Sequence, residues 1–550
     1  MAELLRWCLF LCSLHSLWFT LLLTWLTLSI SAATTSNPSA REYVDQPRRI
    51  LLPLPLLAKA GSHCSPLRVI SSALAKRGHY IKLLRSSEEP CGILDGFNAS
   101  EVLEYNVPDN SAEFKLARAK GQEVAASHDQ FGLEKIRFFW KVCGVFANRC
   151  RDLLTKKDLL EDLRNQNFDI IITDLFSPCY ALLAEYLNLP LIVVTTSREY
   201  PIFYRQMFGF PSELSYVPEY GSGLSSQLDL IGKLKNIASR FMCRIMGYAC
   251  LQYFRAVQFE LDIKPSSSLN TIMSNRTKLW LSYSSLALDY PEPVMPNTVF
   301  VGGMAIMENK PLSKELEEFI QGSGDHGLII FSLGSMISSL GDHVNSIIAN
   351  TFRQLPQRVI WKHEGVVPQG VGNNTLVLDW IPQNDLLGHP KTRLFIGHGG
   401  INGVYEALYH GVPMLLIPVM SPDQWDNAVR VESKGLGKSI DIRSISNESL
   451  YNDVTDVLHN KRYRESVLHH SAILRDLPTG PDQAVFWIEH VLKFGDKHLR
   501  ASVFELNFIQ YYLIDVALAV LLVVIISFLT LRFIFRLCCG ACVGKKPKIE

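Results

Sequence analysis

The sequence predicts two successive Rossmann-like α/β domains facing a cleft, followed by one C-terminal transmembrane helix. Three observations predict it. Short apolar runs of strand type recur in both halves of the chain, each followed by helix-compatible sequence, the mark of βαβ units and parallel sheets. Polar clusters fall where those strands end, the place where open α/β sheets bind ligands. Near the C-terminus, Tyr511 to Leu531 carries only Asp515 as a charge, and about twenty apolar residues span a bilayer as a helix.

Composition sets the outer bounds. At 550 residues the chain is long enough for two core-bearing domains. Charged residues make up 19% and hydrophobic residues 48%, which favours a globular or membrane-attached protein over a disordered one. A net charge of +1 gives no electrostatic case for a nucleic-acid partner.

The N-terminal stretch Trp7 to Ile30 follows Arg6, lacks Asp, Glu, Lys and Arg, and precedes the small residues Ser31, Ala32 and Ala33. That is the layout of a secretory signal peptide, residues 1–33, with a retained signal anchor as the alternative. At the other end Arg532, Arg536, Lys545, Lys546 and Lys548 follow the apolar run. The positive-inside rule then makes 532–550 a cytosolic tail and puts the bulk of the chain across the membrane. Asn98, Asn275, Asn373 and Asn447 each open an Asn-x-Ser/Thr sequon, as lumenal exposure allows. Of twelve cysteines, Cys8 and Cys12 lie in the signal. Cys538, Cys539 and Cys542 follow the apolar run as acylation candidates or plain thiols. The seven that remain are an odd set, so at least one is unpaired, and their pairing is not readable. No ligand cluster suggests a metal.

In the amino half, Arg49 to Pro55 opens with a strand. Pro66 and Gly78 bracket a helix from about Leu67 to Arg77, and Tyr80 to Leu84 is the next strand. His63 therefore falls in a strand-to-helix loop, where a histidine is either solvated or functional. Phe168 to Asp174 is a buried-type strand ending in an acid, and the helix Ala181 to Leu187 and the strand Leu191 to Thr195 follow. Asp174 thus occupies the same sheet edge as His63, as a cap or as its partner.

The stretch Tyr283 to Pro293 is a linker, and the carboxyl half restarts at Met295. Gly327 to Ser335 is a strand running into a glycine turn, where Ser335 is either a plain turn serine or a hydroxyl that donates to a phosphate oxygen. Val359 to Lys362 is a strand, and Leu376 to Leu378 leads to Trp380 and Gln383. The most informative stretch is Leu394 to Asn427. It gives a strand, the turn Gly397-His398-Gly399-Gly400, a helix from Ile401 to His410, a second strand, and a polar cluster with Asp423, Gln424, Asp426 and Asn427. Adjacent glycines let a phosphate approach the free N–H groups and positive dipole end of the helix. His398, Asn402 and Glu406, spaced by four, share one helix face toward that end.

This segment resembles the signature of the UDP-glycosyltransferases, and most closely the animal UDP-glucuronosyltransferases. The resemblance implies that His398 and Asn402 face the diphosphate, Glu406 the ribose hydroxyls, and Asp423 and Gln424 the sugar. Trp380 would stack on the uracil, with Gln383 at the nucleoside. It further implies that His63 is a general base oriented by Asp174, Thr173, Phe176, Pro178 and Cys179 completing the motif. Two departures stand out: Gly397 replaces a Thr or Ser, and three residues, Met420, Ser421 and Pro422, precede the Asp-Gln pair where the family usually has two. Cys64 also replaces a frequent aromatic.

The implied architecture is the GT-B type. Residues 34–294 form an acceptor-binding domain and 295–480 a UDP-sugar-binding domain. Residues 481–510 are a returning helix and juxtamembrane segment, and 511–531 the membrane span. The implied reaction is inverting transfer, most readily of glucuronic acid, from a UDP-sugar co-substrate to a small lipophilic acceptor, with no other cofactor. UDP-glucose as donor and a non-catalytic UDP-sugar-binding membrane protein are the alternatives. The terminal Lys546-Pro-Lys548-Ile-Glu550 is similar to a lysine-based retrieval signal. It implies a single-pass endoplasmic-reticulum protein with a lumenal body, and homo- or hetero-oligomers remain open.

Overall fold

In the amino half, apolar runs rich in Ile, Leu and Val form parallel strands. These are β1 (Arg49–Pro53), β2 (Tyr80–Ser86), β3 (Glu101–Tyr105), β4 (Ile170–Asp174), β5 (Leu191–Thr195), β6 (Thr277–Ser282) and β7 (Thr298–Phe300). They make a seven-stranded sheet in the order β3-β2-β1-β4-β5-β6-β7. Strands β4 and β5 are buried on both faces, as continuous apolar runs in parallel sheets should be. The carboxyl half repeats the plan with β8 (Leu328–Ser332), β9 (Arg358–Lys362), β10 (Thr375–Leu378), β11 (Thr392–Gly397), β12 (Met414–Leu416) and β13 (Gly437–Ser439). Its six-stranded order is β10-β9-β8-β11-β12-β13. Strand order reverses at β1/β4 in one sheet and at β8/β11 in the other, and such switch points open crevices for ligands.

The computed structural model describes residues 46–56, 61–87, 91, 97–107, 133–174, 178–195, 210–335, 337, 339–419, 421–478 and 480–543. The signal peptide, Phe176, Met420 and the basic end of the tail (544–550) lie outside them, as do the side chains of Cys538, Cys539 and Cys542. Asp45–Ala501 is one compact unit containing both sheets, and Ser502–Glu550 belongs to a second.

Three expectations need correction. The helix after β1 spans Gly61–Lys76 rather than starting near Leu67, so His63 sits in its first turn. A proline removes one amide from a helix, and here the helix continues through Pro66, with the Cys64–Cys91 disulfide fastening the added turn. Thr298–Phe300, assigned with Met295 to the second half, pairs with β6 in the first sheet. Its short apolar run extends the edge of a sheet already built, which local pattern does not reveal. Finally, Tyr511 ends a separate short helix, and the apolar stretch is Ile514–Leu537, 24 residues within the helix Ile514–Val543. Arg532 and Arg536 continue that helix instead of starting the tail, because nothing breaks it there.

Within the compact unit an apolar cluster runs from Ile50 and Ile172 in the first sheet to Ile330 and Phe395 in the second, through Tyr283, Leu288 and Tyr405. Tyr283 and Tyr405 meet edge to face at 5.4 Å between ring centroids. The late helix Pro481–Phe494 returns to the amino half, where Glu489 accepts hydrogen bonds from Arg77 (2.9 Å) and pairs with His79 (3.1 Å).

Candidate functional site

His63 and Asp174 come together because one follows β1 and the other ends β4, the two strands of the same switch point. The Nδ1 of His63 lies 2.9 Å from Asp174 Oδ2, and Asp174 is almost completely buried. Both neighbourhoods are stapled. Cys64, next to His63, is bonded to Cys91, and Cys179, shortly after Asp174, is bonded to Cys150. Cys143 and Cys250 form a third disulfide, and Cys243 is free and buried, so the odd set of seven resolves into three bridges and one thiol.

Burial opposes a charge on His63. The Asp174 carboxylate and its hydrogen bond, with Asp423 adding to them, outweigh burial and hold the pKa above the ordinary histidine value. Nδ1 is turned to Asp174, so a proton taken by the ring would go to Nε2. Asp423 belongs to the other half, in the first turn of the helix Pro422–Ser433, where negative charge is favoured. Asp423 thus lies within electrostatic range of His63.

The second cluster is built on Gly397-His398-Gly399-Gly400, between β11 and the helix Ile401–Tyr409. Gly399 adopts φ +82°, and a Cβ there would fall 2.8 Å from the Gln424 carbonyl oxygen. Gly334 and Gly400 flank the His398 ring closely enough that a Cβ on either would collide with it, at 2.6 and 2.4 Å. Burial, with the nearby Lys362 charge, lowers the His398 pKa to about 4, so the ring is neutral at pH 7. The N-cap of the following helix is Gly400, with no side-chain cap, which leaves its first amides unmatched by a cap. Buried Asn402 Oδ1 has no hydrogen-bond partner, a costly state in a packed interior. Ser335 is exposed in the turn beside Gly334.

Glu406 pairs with Gln383, whose Nε2 donates at 2.6 Å, and burial raises the Glu406 pKa to about 7. Trp380 is 71% exposed, and the Lys362 ammonium lies 5.6 Å from its ring centroid. Gln424, which the resemblance gives to the sugar, is held from within the protein. It is only 3% exposed, and its Oε1 accepts from the Val419 N–H at 2.9 Å. The extra residue before the Asp-Gln pair lets Pro422 open the helix and pack against Gly221, where a Cβ would come within 2.8 Å of Pro422 Cβ. Gly397 is explained by its own strand: a Cβ there would meet the Phe395 ring at 2.7 Å.

Several supporting residues escape sequence reasoning. Asn427 Nδ2 donates to the Gly399 carbonyl at 2.8 Å and its Oδ1 accepts from Arg430 at 2.6 Å. Arg430 then pairs with buried Asp289 at 3.4 Å, to which Tyr405 also donates at 3.3 Å. The glycine turn is thereby tied to the linker. Asp426 accepts from the backbone amides of Gly221 (2.6 Å) and Gly223 (2.9 Å), joining the two halves beside Asp423. Lys362 is buried at the carboxyl end of β9 and donates to Gly334 O and Glu364. Asp426 and Asn427 are visible in the sequence as members of the polar cluster after β12 and Lys362 as the end of β9, whereas nothing local marks Arg430, Asp289 or Tyr405. Among the described residues, no group of three or more His, Cys, Asp or Glu is placed to hold a metal ion.

A family model described as UDP-glucoronosyl and UDP-glucosyl transferase matches residues 53–549. The chain is 35% identical to UDP-glucuronosyltransferase 2B23 of Macaca fascicularis over 89% of its own length and 94% of the relative. It is 37% identical to UDP-glucuronosyltransferase 2C1 of Oryctolagus cuniculus, covering 87% and 95%. It is 36% identical to UDP-glucuronosyltransferase 2B10 of Homo sapiens, covering 87% and 91%. Among solved structures, the glycotransferase of kitacinnamycin superposes with a TM-score of 0.57 at 18% identity, over 81% of this chain and 99% of that one. CalG4, the calicheamicin glycosyltransferase, does so at 0.53 and 19%, over 81% and 98%. These two similarities establish the shared two-sheet fold.

Proposed function

The chain belongs to the UDP-glucuronosyl and UDP-glucosyl transferase family, and we propose that it moves glucuronic acid from a UDP-sugar to a nucleophilic group on a small lipophilic acceptor, with inversion. The observation that carries this reading is the His63–Asp174 pair, 2.9 Å apart and within the electrostatic reach of Asp423. On this reading the acceptor is met by a base from the amino half and by a carboxylate from the carboxyl half.

In this mechanism His63 Nε2 takes the acceptor hydroxyl proton as Nδ1–H stays on Asp174, which stabilises the imidazolium. The acceptor oxygen forms its bond to the anomeric carbon while the bond from that carbon to the diphosphate oxygen breaks. The departing charge falls on the helix N-terminus at Gly399 and Gly400, with neutral His398, Asn402 and Ser335 as side-chain donors. Glu406 and Gln383 take the ribose, exposed Trp380 the uracil face, and Asp423 and Gln424 the sugar. The amino half carries the acceptor and the carboxyl half the donor. The apolar helix Ile514–Val543 anchors the chain as a single pass in the endoplasmic-reticulum membrane with its body lumenal. The four sequon asparagines, Asn98, Asn275, Asn373 and Asn447, are all exposed, which supports that side.

Turnover of UDP-glucuronate against UDP-glucose with one phenolic acceptor tests the donor. Glucuronate is expected to be faster, and equal or faster glucose turnover would reassign it. UDP binding without UDP release across a broad acceptor panel would favour a non-catalytic binder.

Two further outcomes follow from the donor cluster. Gly399→Ala would force a side chain into the left-handed region, at about 1–2 kcal/mol, and against the Gln424 carbonyl. UDP affinity measured by calorimetry is expected to fall about tenfold or more. Glu406 titrates near 7 in the free protein, and ribose hydroxyls donate best to its ionised form. UDP-glucuronate affinity is therefore expected to rise as pH climbs from 6 to 8, and Glu406→Gln to flatten that rise.

A further inference from the structure

The first half of the helix Leu230–Glu260 has its polarity inverted relative to an ordinary surface helix. As far as Gly247 its inner face buries Asn236, Ser239, Cys243 and Gly247, small or polar groups, before Leu251, Phe254 and Val257 take over the buried side. Asn236 satisfies itself on the backbone of Leu214, Val217 and Glu219. Its outer face carries Leu234, Phe241, Ile245 and Tyr248, all exposed, with Phe241 at 62% and Ile245 at 59%. Spacings of seven, four and three put these four on one stripe. A soluble surface seldom leaves so continuous an apolar stripe uncovered.

Charge identifies the cover. From Leu230 to Phe259 the helix contains no Asp or Glu, while Lys233, Lys235 and Arg244 stand exposed beside the stripe. A second copy docking through this same face would bring like charges together. An anionic lipid surface meets both features at once, taking the apolar stripe at its acyl boundary and the cations at its headgroups. We propose that the outer face of Leu230–Glu260 is a lipid-contact surface that lays the body against an anionic bilayer. This contact is additional to the apolar helix Ile514–Val543 and independent of the catalytic assignment.

The test uses the full chain reconstituted into vesicles of phosphatidylcholine alone or phosphatidylcholine with phosphatidylserine, and in detergent. Amide hydrogen exchange is read over residues 230–248. Exchange there is expected to slow about fivefold or more with phosphatidylserine, and the slowing to shrink as salt is raised. The doubly substituted F241E/I245E chain should lose that slowing while keeping its turnover in detergent, since neither residue belongs to the site. Equal exchange in all three settings would overturn the proposal. So would a slowing that follows protein density in the vesicle rather than lipid charge, which would assign the face to a second copy.

Discussion

His63→Ala is expected to reduce turnover by about 100- to 10,000-fold, the range that a positioned base contributes, while UDP affinity stays within a few-fold of the parent chain. The split follows from placement. His63 lies in the amino half on the helix Gly61–Lys76, whereas the proposed diphosphate contacts all lie after β8 and β11. The substitution should also leave the fold intact. The Cys64–Cys91 disulfide holds the turn from the neighbouring position, and alanine is the best helix former available there. Stopped assays of product formation beside UDP calorimetry check both halves of the expectation. Parent-like turnover would remove His63 from the mechanism, and a parallel loss of UDP binding would point instead to a collapsed cleft.

What was readable in advance followed the physics of local pattern. Strands β1, β4, β8 and β11 are short apolar runs closed by Gly, Pro or an acid, so their ends, and hence His63, Asp174, Ser335 and His398, fall at the correct sheet edge from sequence alone. Gly399 is legible for the same reason, because a positive φ between a strand and a helix calls for glycine. Contacts between residues far apart in the chain were not legible. The bridge from Gly399 through Asn427 and Arg430 to Asp289 and the grip of Asp426 on Gly221 and Gly223 depend on how the two halves meet, and the pairing of six cysteines on how distant segments of the amino half pack. Gln424 is instructive: the resemblance gives it to the sugar, and its side-chain carbonyl also accepts from the Val419 amide, a contact that only the folded loop decides. The outer stripe of Leu230–Glu260 is hidden for a related reason. A helix apolar on two sides reads as core until its burial is known.

Asp174→Asn should cost on the order of 10²- to 10⁴-fold in turnover, the range reached when a histidine loses its carboxylate partner, and it should move the pH profile in a defined direction. Burial alone would depress the His63 pKa, and the carboxylate of Asp174 is the chief reason that it stands above the ordinary value instead. Only the neutral ring can accept a proton. In the parent chain kcat/KM should therefore fall as pH drops through that raised pKa. Asparagine keeps the shape but removes the charge, leaving burial opposed only by the weaker pull of Asp423. The acidic limb of the variant is then expected to lie at lower pH, so that its small residual rate persists where the parent enzyme is already losing activity. Stability shifts with the opposite sense. A raised histidine pKa contributes stability that is fully present below the unfolded value and is lost as pH rises through the folded one, so the variant should lose most stability on the acidic side. Thermal unfolding followed across pH 5 to 9, together with the kcat/KM profile, separates the two effects. An acidic limb that stayed at the parent position would mean that Asp174 orients the ring without setting its charge.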